Sequence, residues 1–183
     1  ILESRKSRNS EIEMKNTLRR SEAMTEIVQF LDSEIDLQQI TSEIIGIVGR
    51  MTGISHAYVM KPDKDNGSVE MIGSYVADGE KSVLEEHGTQ KIPEFLKTVE
   101  RRVVISSGTR ISEKLSGQFD KLHIRAITVF PITIKDEISM LACYLECRQE
   151  KEWNVEDLKF FNDATKIIQS ILQKRIQKNS LKR

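Results

Sequence analysis

The sequence has few cysteines, no excess of basic residues and no long apolar run. It therefore lacks the features of proteins that are stabilised by disulfides, bind nucleic acid or span a membrane. It has two cysteines, Cys143 and Cys147, in 183 residues, too few to stabilise such a chain by disulfides. Basic and acidic side chains number 28 each, so the chain lacks the basic excess that phosphate neutralisation requires. No apolar run approaches the ~18–20 residues of a membrane span, and we expect no signal peptide. We therefore expect a cytoplasmic module that binds no nucleic acid and does not insert directly into a membrane.

Signatures of catalysis and metal binding are also missing. His56, His87 and His123 belong to separate predicted elements and have no carboxylate at ligand spacing. Cys143 and Cys147 would lie on one face of a strand, ~13 Å apart, which is too far to share a metal or a disulfide. The chain has no nucleophile elbow, phosphate-binding glycine loop or carboxylate pair placed for acid–base chemistry. We predict no catalytic residue, no metal site and no enzyme here, and no cofactor is indicated.

Strand patterns are present at five places, at residues 54–61, 69–76, 103–105, 126–134 and 138–147. A polar turn over residues 62–67 joins the first two, and a second turn over residues 135–137 joins the last two. The first run has apolar residues on both faces, which predicts a central strand covered on both sides.

Helical periodicity marks the two ends and one internal segment. Residues 1–21 are polar, with Ile12, Met14 and Leu18 as sparse apolar positions. They could form a weak coiled coil or a solvated helical linker, and the mixture of charges favours the linker. Apolar residues then recur at helical spacing from Met24 to Ile35. A second helix should begin at Asp36, with Gln39 as its capping-box partner, and end at Gly53. Two glycines inside it, at positions 46 and 49, indicate either the close approach of another backbone or simple tolerance.

The last helix should begin at Asn154, whose side chain caps it, with Asp157 at the N3 position. It should continue beyond residue 174. Its apolar residues cover an arc of roughly 180°, wider than the ~100° stripe of one-sided packing. One edge of this arc can face the sheet. The other edge needs a different partner, which we predict to be the first helix of this chain and the same helices of a second copy. We therefore predict a homodimer through Val28, Leu31, Phe161, Ile168 and Leu172. The domain is placed at residues 22–173, with residues 174–183 as the start of an exit linker helix.

The irregular region between residues 77 and 124, here called the lid, is too long for a simple connection. It contains a helix candidate at residues 93–100 and one or two helical turns across residues 115–122. Such an excursion favours a binding lid, and a plain cap over the sheet is the alternative. The predicted ligand contacts are Tyr75, Phe95, Val99, Phe119, Asp120, Leu122, Arg125, Thr128 and Phe130. The apolar members would equally suit a closed core without a cavity.

Two motifs resemble those of a known family. Arg125 precedes an apolar strand that contains Phe130-Pro131-Ile132, and Trp153 precedes the acidic helix start Val155-Glu156-Asp157-Leu158. Together with the second helix and the first two strands, they resemble a GAF domain over about residues 24–173. The resemblance implies an α+β fold, with an antiparallel sheet of five or six strands. It also implies helices on one face, a lid on the other, and long N- and C-terminal flanking helices.

The resemblance also implies a role. Many GAF domains of bacterial signal-transduction proteins, of the sensor histidine kinase or diguanylate cyclase type, bind a small molecule and relay its state through the parallel flanking helices of a homodimer. We expect the chain, which begins at Ile1 rather than Met, to be linked covalently to such an output domain. A ligand-free dimerisation and signal-transmission scaffold is the alternative. Ser139 lies where the family usually has a glycine on the final strand. The set of residues found in GAF domains of cyclic-nucleotide phosphodiesterases is missing, and the lid contains no cysteine. These departures argue against cyclic nucleotides, covalent bilins and sulfoxide-reductase activity.

Overall fold

The computed structural model describes residues 2–84 and 89–181. Its helices are α1 (Leu2–Val28), α2 (Leu37–Thr52), α3 (Glu113–Leu122) and α4 (Val155–Leu181). Its strands are β1 (His56–Asp63), β2 (Ser68–Val76), β3 (Thr89–Lys91), β4 (Val103–Ile105), β5 (Ala126–Ile134) and β6 (Glu137–Glu146). The strands form one antiparallel sheet in the order β3-β2-β1-β6-β5-β4. This is the α+β architecture that the resemblance to GAF domains implies.

The sheet is organised around two hairpins. β1 lies between β2 and β6, which confirms the prediction of a central strand. Lys135 and Asp136 connect β5 to β6 with φ angles of 52° and 65°, the conformation of a tight hairpin turn. The strand β3 was not predicted, because its three residues carry no alternating apolar pattern and pair with β2 through the backbone.

The ends of α2 and α4 follow the sequence closely. The Asp36 side chain accepts a hydrogen bond from the Gln38 amide at 3.2 Å, and Gly53 closes α2 at a φ of 73°. The Asn154 side chain accepts from the Asp157 amide at 2.7 Å, so the predicted start of α4 is confirmed. Free amides at a helix start need such acceptors because they have no partner within the helix.

Three helix predictions are wrong in detail. The first helix runs unbroken to Val28 and ends in a 3₁₀ turn at Gln29–Asp32, so Ile35 lies outside it. Residues 93–100 form only a 3₁₀ turn at Glu94–Leu96. Gln39 does not complete a capping box, because its side-chain amide lies 3.5 Å from the carboxylate of Glu43, one helical turn ahead.

The sheet separates two buried layers. The layer on the helical face contains side chains of α2 and α4, among them Ile44, Val48, Phe161, Ala164 and Ile168. The layer on the lid face contains Tyr58, Met60, Leu96, Phe119, Cys143 and Leu145. Cys143 and Cys147 both belong to the lid side, so their predicted common face is confirmed. Each layer removes apolar surface from water, which stabilises the fold by roughly 25 cal/mol per Å².

A close approach between α2 and β2 explains one of the two helix glycines. A Cβ at Gly49 would lie 2.1 Å from Cε1 of Tyr75, so the aromatic ring occupies the space that any side chain would need. A Cβ at Gly46 would meet only the tip of the flexible Arg50 side chain, at 3.2 Å. Close packing therefore requires glycine at position 49, and position 46 is simply tolerant.

The two long helices run side by side in the same direction. Thr17 and Met24 of α1 share a groove with Glu156 and Asp163 at the start of α4. Farther along, the ammonium group of Lys174 lies 3.3 Å from the Asp32 carboxylate. Residues 2–16 of α1 are exposed before this groove begins, and residues 176–180 of α4 are exposed beyond Lys174. The helices therefore project from opposite ends of the domain.

Four of the five predicted dimer residues are already covered within one chain. Phe161, Ile168 and Leu172 are buried in the helical-face layer, and Leu31 packs against the same layer. Their assignment to a contact with a second copy is wrong, because the end of α1 covers the face of α4 that was expected to be free. Val28, the fifth predicted dimer residue, is 41% exposed and is therefore not covered within one chain.

Two further points concern the ends of the chain. No helix in the described ranges is long and apolar enough to cross a membrane. Ile1 of the predicted N-terminal linker and residues 182–183 of the predicted exit linker lie outside those ranges.

Candidate functional site

The structure brings together four of the predicted ligand contacts on the lid face. Phe95, Val99, Phe119 and Leu122 all pack against the lid-face layer. The rings of Phe95 and Phe119 meet edge to face, with centroids 5.3 Å apart. The lid therefore has an apolar inner surface, as its sequence pattern indicates.

Three predicted contacts lie on the opposite face of the sheet, so their placement under the lid is wrong. Phe130 meets the ring of Phe161 edge to face, at 6.5 Å, in the helical layer. Tyr75 covers Gly49 of α2. Thr128 shares the face of Phe130, two residues away, because side chains alternate along a strand.

A cavity of about 420 Å³ lies between the lid and one edge of the sheet. One wall is residues 94–100, here called the strap, which supplies Phe95 and Val99. The other walls are apolar side chains of β4, β5 and α3, namely Val103, Ile105, Ile127, Val129 and Leu115. Glu100, Arg101 and Arg102 line its polar part. We call it the strap cavity.

A second cavity, of about 680 Å³, lies at the other end of the lid and is called the basic cavity. Predicted contacts Leu122 and Arg125 line it, together with His56, Lys81, Lys121, His123 and Cys147. Arg125 is exposed, and Asp120 is exposed on α3.

Side chains of β1 hold the start of the lid in place beside the basic cavity. Nε2 of His56 lies 2.7 Å from the carbonyl oxygen of Lys81 and donates to it. The Tyr58 hydroxyl lies 2.9 Å from that of Ser82 and accepts from the Val83 amide at 3.1 Å. Burial raises the pKa of Tyr58, so its phenol stays neutral at physiological pH. The lid is therefore anchored to the central strand by side-chain hydrogen bonds.

The thiol groups on the lid face are poor nucleophiles. Burial raises the pKa of Cys147 to about 11 and raises that of Cys143 as well. Because the thiolate is the reactive form, both thiols are largely inert near neutral pH. Among the described residues, no group of three or more His, Cys, Asp or Glu side chains is arranged to hold a metal ion. His87 lies outside those residues.

A hydrogen-bonded junction joins residues 105–108, at the end of β4, to residues 151–153, which precede α4. Nε1 of Trp153 donates to the carbonyl oxygen of Ile105 at 3.0 Å, and its backbone N–H donates to Oγ of Ser106 at 3.0 Å. The backbone N–H of Ser107 donates to the carbonyl of Lys151 at 2.9 Å, and the Lys151 N–H donates to Oγ of Ser107 at 2.7 Å. We call these contacts the lid–exit junction.

The lid–exit junction reaches both cavities and the exit helix. The side chain of Ile105 lines the strap cavity, and the hydroxyl of Ser107 donates to the backbone carbonyl of Arg125, beside the basic cavity. On its other side, the Trp153 ring meets Phe161 of α4 edge to face at 5.5 Å. Sequence reasoning missed this junction; its signal is the pair Ser106-Ser107 directly after a strand, since such side chains readily bond nearby backbone.

The solved structures that resemble this chain share its fold at low sequence identity. The phycoerythrobilin-bound GAF domain from a cyanobacterial phytochrome has a TM-score of 0.72 and 12% identity, covering 88% of this chain and 98% of that one. The blue-light absorbing form of the Thermosynechococcus elongatus PixJ GAF domain has a TM-score of 0.64 and 17% identity, covering 80% and 90%. The chain has the GAF fold.

A third GAF-fold neighbour is the chromophore-binding domain of the bacteriophytochrome RpBphP3 from R. palustris. Its TM-score is 0.72 at 13% identity, covering 90% of this chain and 62% of that one. No family model matches the sequence, and no curated protein is similar to it. At these identities the likeness establishes the GAF fold, and the function must be argued from the residues of this chain.

Proposed function

We propose that this domain is a regulatory sensor that binds a small molecule on the lid face and is not itself an enzyme. The observation that carries the proposal is the lid–exit junction, which ties the walls of both cavities to the start of α4. A ligand that prefers one arrangement of the lid thereby biases the position of Trp153 and of the exit helix. Such a bias is all that a sensor requires, since a ligand shifts an equilibrium through its different affinities for two states.

The relay continues through α4 to an output domain, of the histidine kinase or diguanylate cyclase type, in a cytoplasmic bacterial signalling protein. Residues 22–173 are the sensor in this proposal, and residues 1–21 and 174–183 are linkers. Parallel helices that project from opposite ends suit this role, because a change at one end can be passed along the same axis to the other.

The proposed parallel homodimer uses a face of α1 that the chain leaves uncovered. Met14, Leu18, Ser21, Thr25 and Val28 recur at alternating spacings of four and three residues, and all five are exposed. This spacing is that of a coiled-coil seam, and the small residues at its middle permit close approach of two helices. Val28 keeps its proposed role, and Met14 and Leu18 replace Leu31, Phe161, Ile168 and Leu172, which are covered within one chain.

We do not propose covalent attachment of a bilin, although two of the structural neighbours are a phycoerythrobilin-bound domain and a chromophore-binding domain. The lid-facing thiols of Cys143 and Cys147 are held protonated by burial, as described above. The ligand should therefore bind non-covalently.

A ligand-free dimerisation scaffold is the second candidate, and one observation favours it. The strap inserts Leu96, 2% exposed, into the lid-face layer, which is closely packed around Tyr58 and Cys143. A lid that served only as a cap would have this filled centre.

The decisive experiment is a metabolite screen by native mass spectrometry and thermal shift, followed by fluorescence of each hit. Trp153 is the chain's single tryptophan, so its emission reports on the lid–exit junction without labelling. A sensor ligand should raise Tm, change Trp153 emission and alter amide exchange at the start of α4. In Ser107→Ala the ligand should still bind but change α4 less, whereas the matched Ser139→Ala should respond like the parent chain.

Two results would overturn parts of the proposal. Absence of any stabilising ligand would favour the scaffold, and ligands that bind without changing Trp153 or α4 would refute the relay. Sedimentation tests the seam separately: Leu18→Glu should dissociate the dimer, and Ile12→Glu, on another face of α1 with similar exposure, should not. A chain that sediments as a monomer at micromolar concentration would remove the dimer.

A further inference from the structure

We propose that the strap cavity binds a small aromatic or alicyclic monocarboxylate, an inference that rests on the proposed sensor function and names its ligand class. The volume of about 420 Å³ falls within the ~300–1,000 Å³ typical of small-molecule sites. Its walls on the sheet side are branched aliphatic side chains, and Phe95 offers an aromatic ring. A rigid apolar ring system fills such a space at small entropic cost.

The charges at the mouth of the strap cavity favour a single negative charge on the ligand. Arg101 and one acidic residue, Glu100, line this mouth, so Arg101 supplies the positive charge that a ligand would meet. Arg102 lies 5.3 Å from the centre of the Phe130 ring and is already engaged there. Arg101 is exposed and has no ion pair among the described residues, which leaves its guanidinium available.

A guanidinium binds a carboxylate through two parallel hydrogen bonds, a geometry that lysine cannot reproduce. Glu100 would repel a second negative charge on the same ligand, which disfavours dicarboxylates and phosphate esters. The charges therefore favour a ligand with one negative charge, and the apolar walls favour a ligand with an apolar ring system.

The strap also lies between two cavities. A separate cavity of about 450 Å³ lies on its other side, and Leu96, Thr98 and Val99 line both spaces. The strap therefore borders open space on both sides, while the buried side chain of Leu96 anchors it in the lid-face layer. Ile105 lies in the cavity wall, and its carbonyl accepts from Trp153, so the ligand body would contact the first residue of the lid–exit junction.

The test is calorimetry on the whole chain with 2-naphthoate as the probe, beside its uncharged amide and inorganic phosphate. We expect saturable binding of 2-naphthoate, weaker binding of the amide and none of phosphate. Arg101→Gln should weaken the binding of 2-naphthoate at least ~10-fold, because the charge-assisted hydrogen bonds to its carboxylate are lost. The matched Arg110→Gln, on an exposed loop away from both cavities, should leave binding unchanged.

A second variant keeps the test independent of Arg101. Val99→Phe fills the cavity from the strap and should abolish binding while the far-ultraviolet circular dichroism stays that of the parent. Binding of 2-naphthoate that neither Arg101→Gln nor Val99→Phe reduces would overturn the proposal, as would failure to bind. If another class of metabolite raises Tm and changes Trp153 emission, the sensor function stands and only the ligand class is wrong.

Discussion

The indole nitrogen of Trp153 and the backbone carbonyl of Ile105 lie 3.0 Å apart, and their hydrogen bond crosses from the sheet edge to the residue before the cap of α4. Removing the donor while keeping an aromatic ring isolates this bond. Trp153→Phe should destabilise the chain by about 1 kcal/mol, the usual net value of one hydrogen bond. Urea unfolding followed by circular dichroism measures it. A loss above roughly 3 kcal/mol would mean that ring packing dominates instead.

The contact between Gly49 and Tyr75 predicts opposite effects for two glycines of the same helix. Gly49→Ala should destabilise by about 1–3 kcal/mol, because the new methyl would overlap the ring. Gly46→Ala should be neutral or stabilise by up to ~1 kcal/mol, because alanine favours helix. Thermal unfolding of both variants provides the comparison. Equal effects would contradict the close approach.

The buried hydroxyl of Thr128 predicts a stabilising substitution. Its Oγ1 has no hydrogen-bond partner among the described residues, and an unsatisfied buried polar group costs about 1–3 kcal/mol. Thr128→Val keeps the shape and should raise Tm by roughly 2–4 °C, the shift for about 1 kcal/mol in a chain of this size. An unchanged or lower Tm would show that the hydroxyl is satisfied.

The Cys147 thiol predicts a distinct pH profile for alkylation. Burial raises its pKa to about 11, so only a small thiolate fraction exists at neutral pH. In Cys143→Ala, which leaves one thiol, the alkylation rate should rise ~10-fold per pH unit through pH 10, whereas an ordinary thiol levels off near its pKa of about 8.5. A plateau near pH 8.5 would show an exposed, unperturbed thiol.

The pair Glu146–Arg148 predicts an acid-sensitive contribution to stability. Burial alone would raise the pKa of Glu146, but hydrogen bonds and charge from Arg148 outweigh it and hold that pKa below its ordinary value. The stabilisation is therefore present above the unfolded pKa of about 4.3 and is lost as pH falls through the lower folded pKa. Glu146→Gln should cost about 2 kcal/mol at pH 7.

The acid dependence separates this pair from ordinary surface charge. The difference between Glu146→Gln and the parent should shrink below pH ~4, because the parent then loses the same charge. Glu137→Gln, exposed at the start of the same strand, is the matched control and should change stability by less than ~0.5 kcal/mol. A pH-independent difference would point to packing rather than charge.

Local rules predicted most of the fold. The turn at residues 135–137 and the caps at Asp36 and Asn154 are decided by neighbouring residues, so their patterns suffice. The faces of β5 were assigned wrongly, because an apolar strand buried on both sides gives no contrast between them. Phe130 and Val129 are equally apolar, and only the packing of α4 determines which faces the helices.

The dimer residues show the same limit. The wide apolar arc of α4 correctly indicated two partners, but periodicity cannot say whether the second belongs to the same chain. The answer depends on α1 continuing past its polar half to bury Ile27. The lid–exit junction depends on contacts between residues more than 40 apart, which single-sequence patterns do not contain.

The outermost strands, β3 and β4, are only three residues long each. Short edge strands offer few unpaired backbone groups, which protects the sheet from pairing with the sheets of neighbouring molecules. At β4, the carbonyl of Ile105 is also taken by the indole of Trp153. At high protein concentration, this geometry therefore disfavours association by the addition of strands at the edges of the sheet.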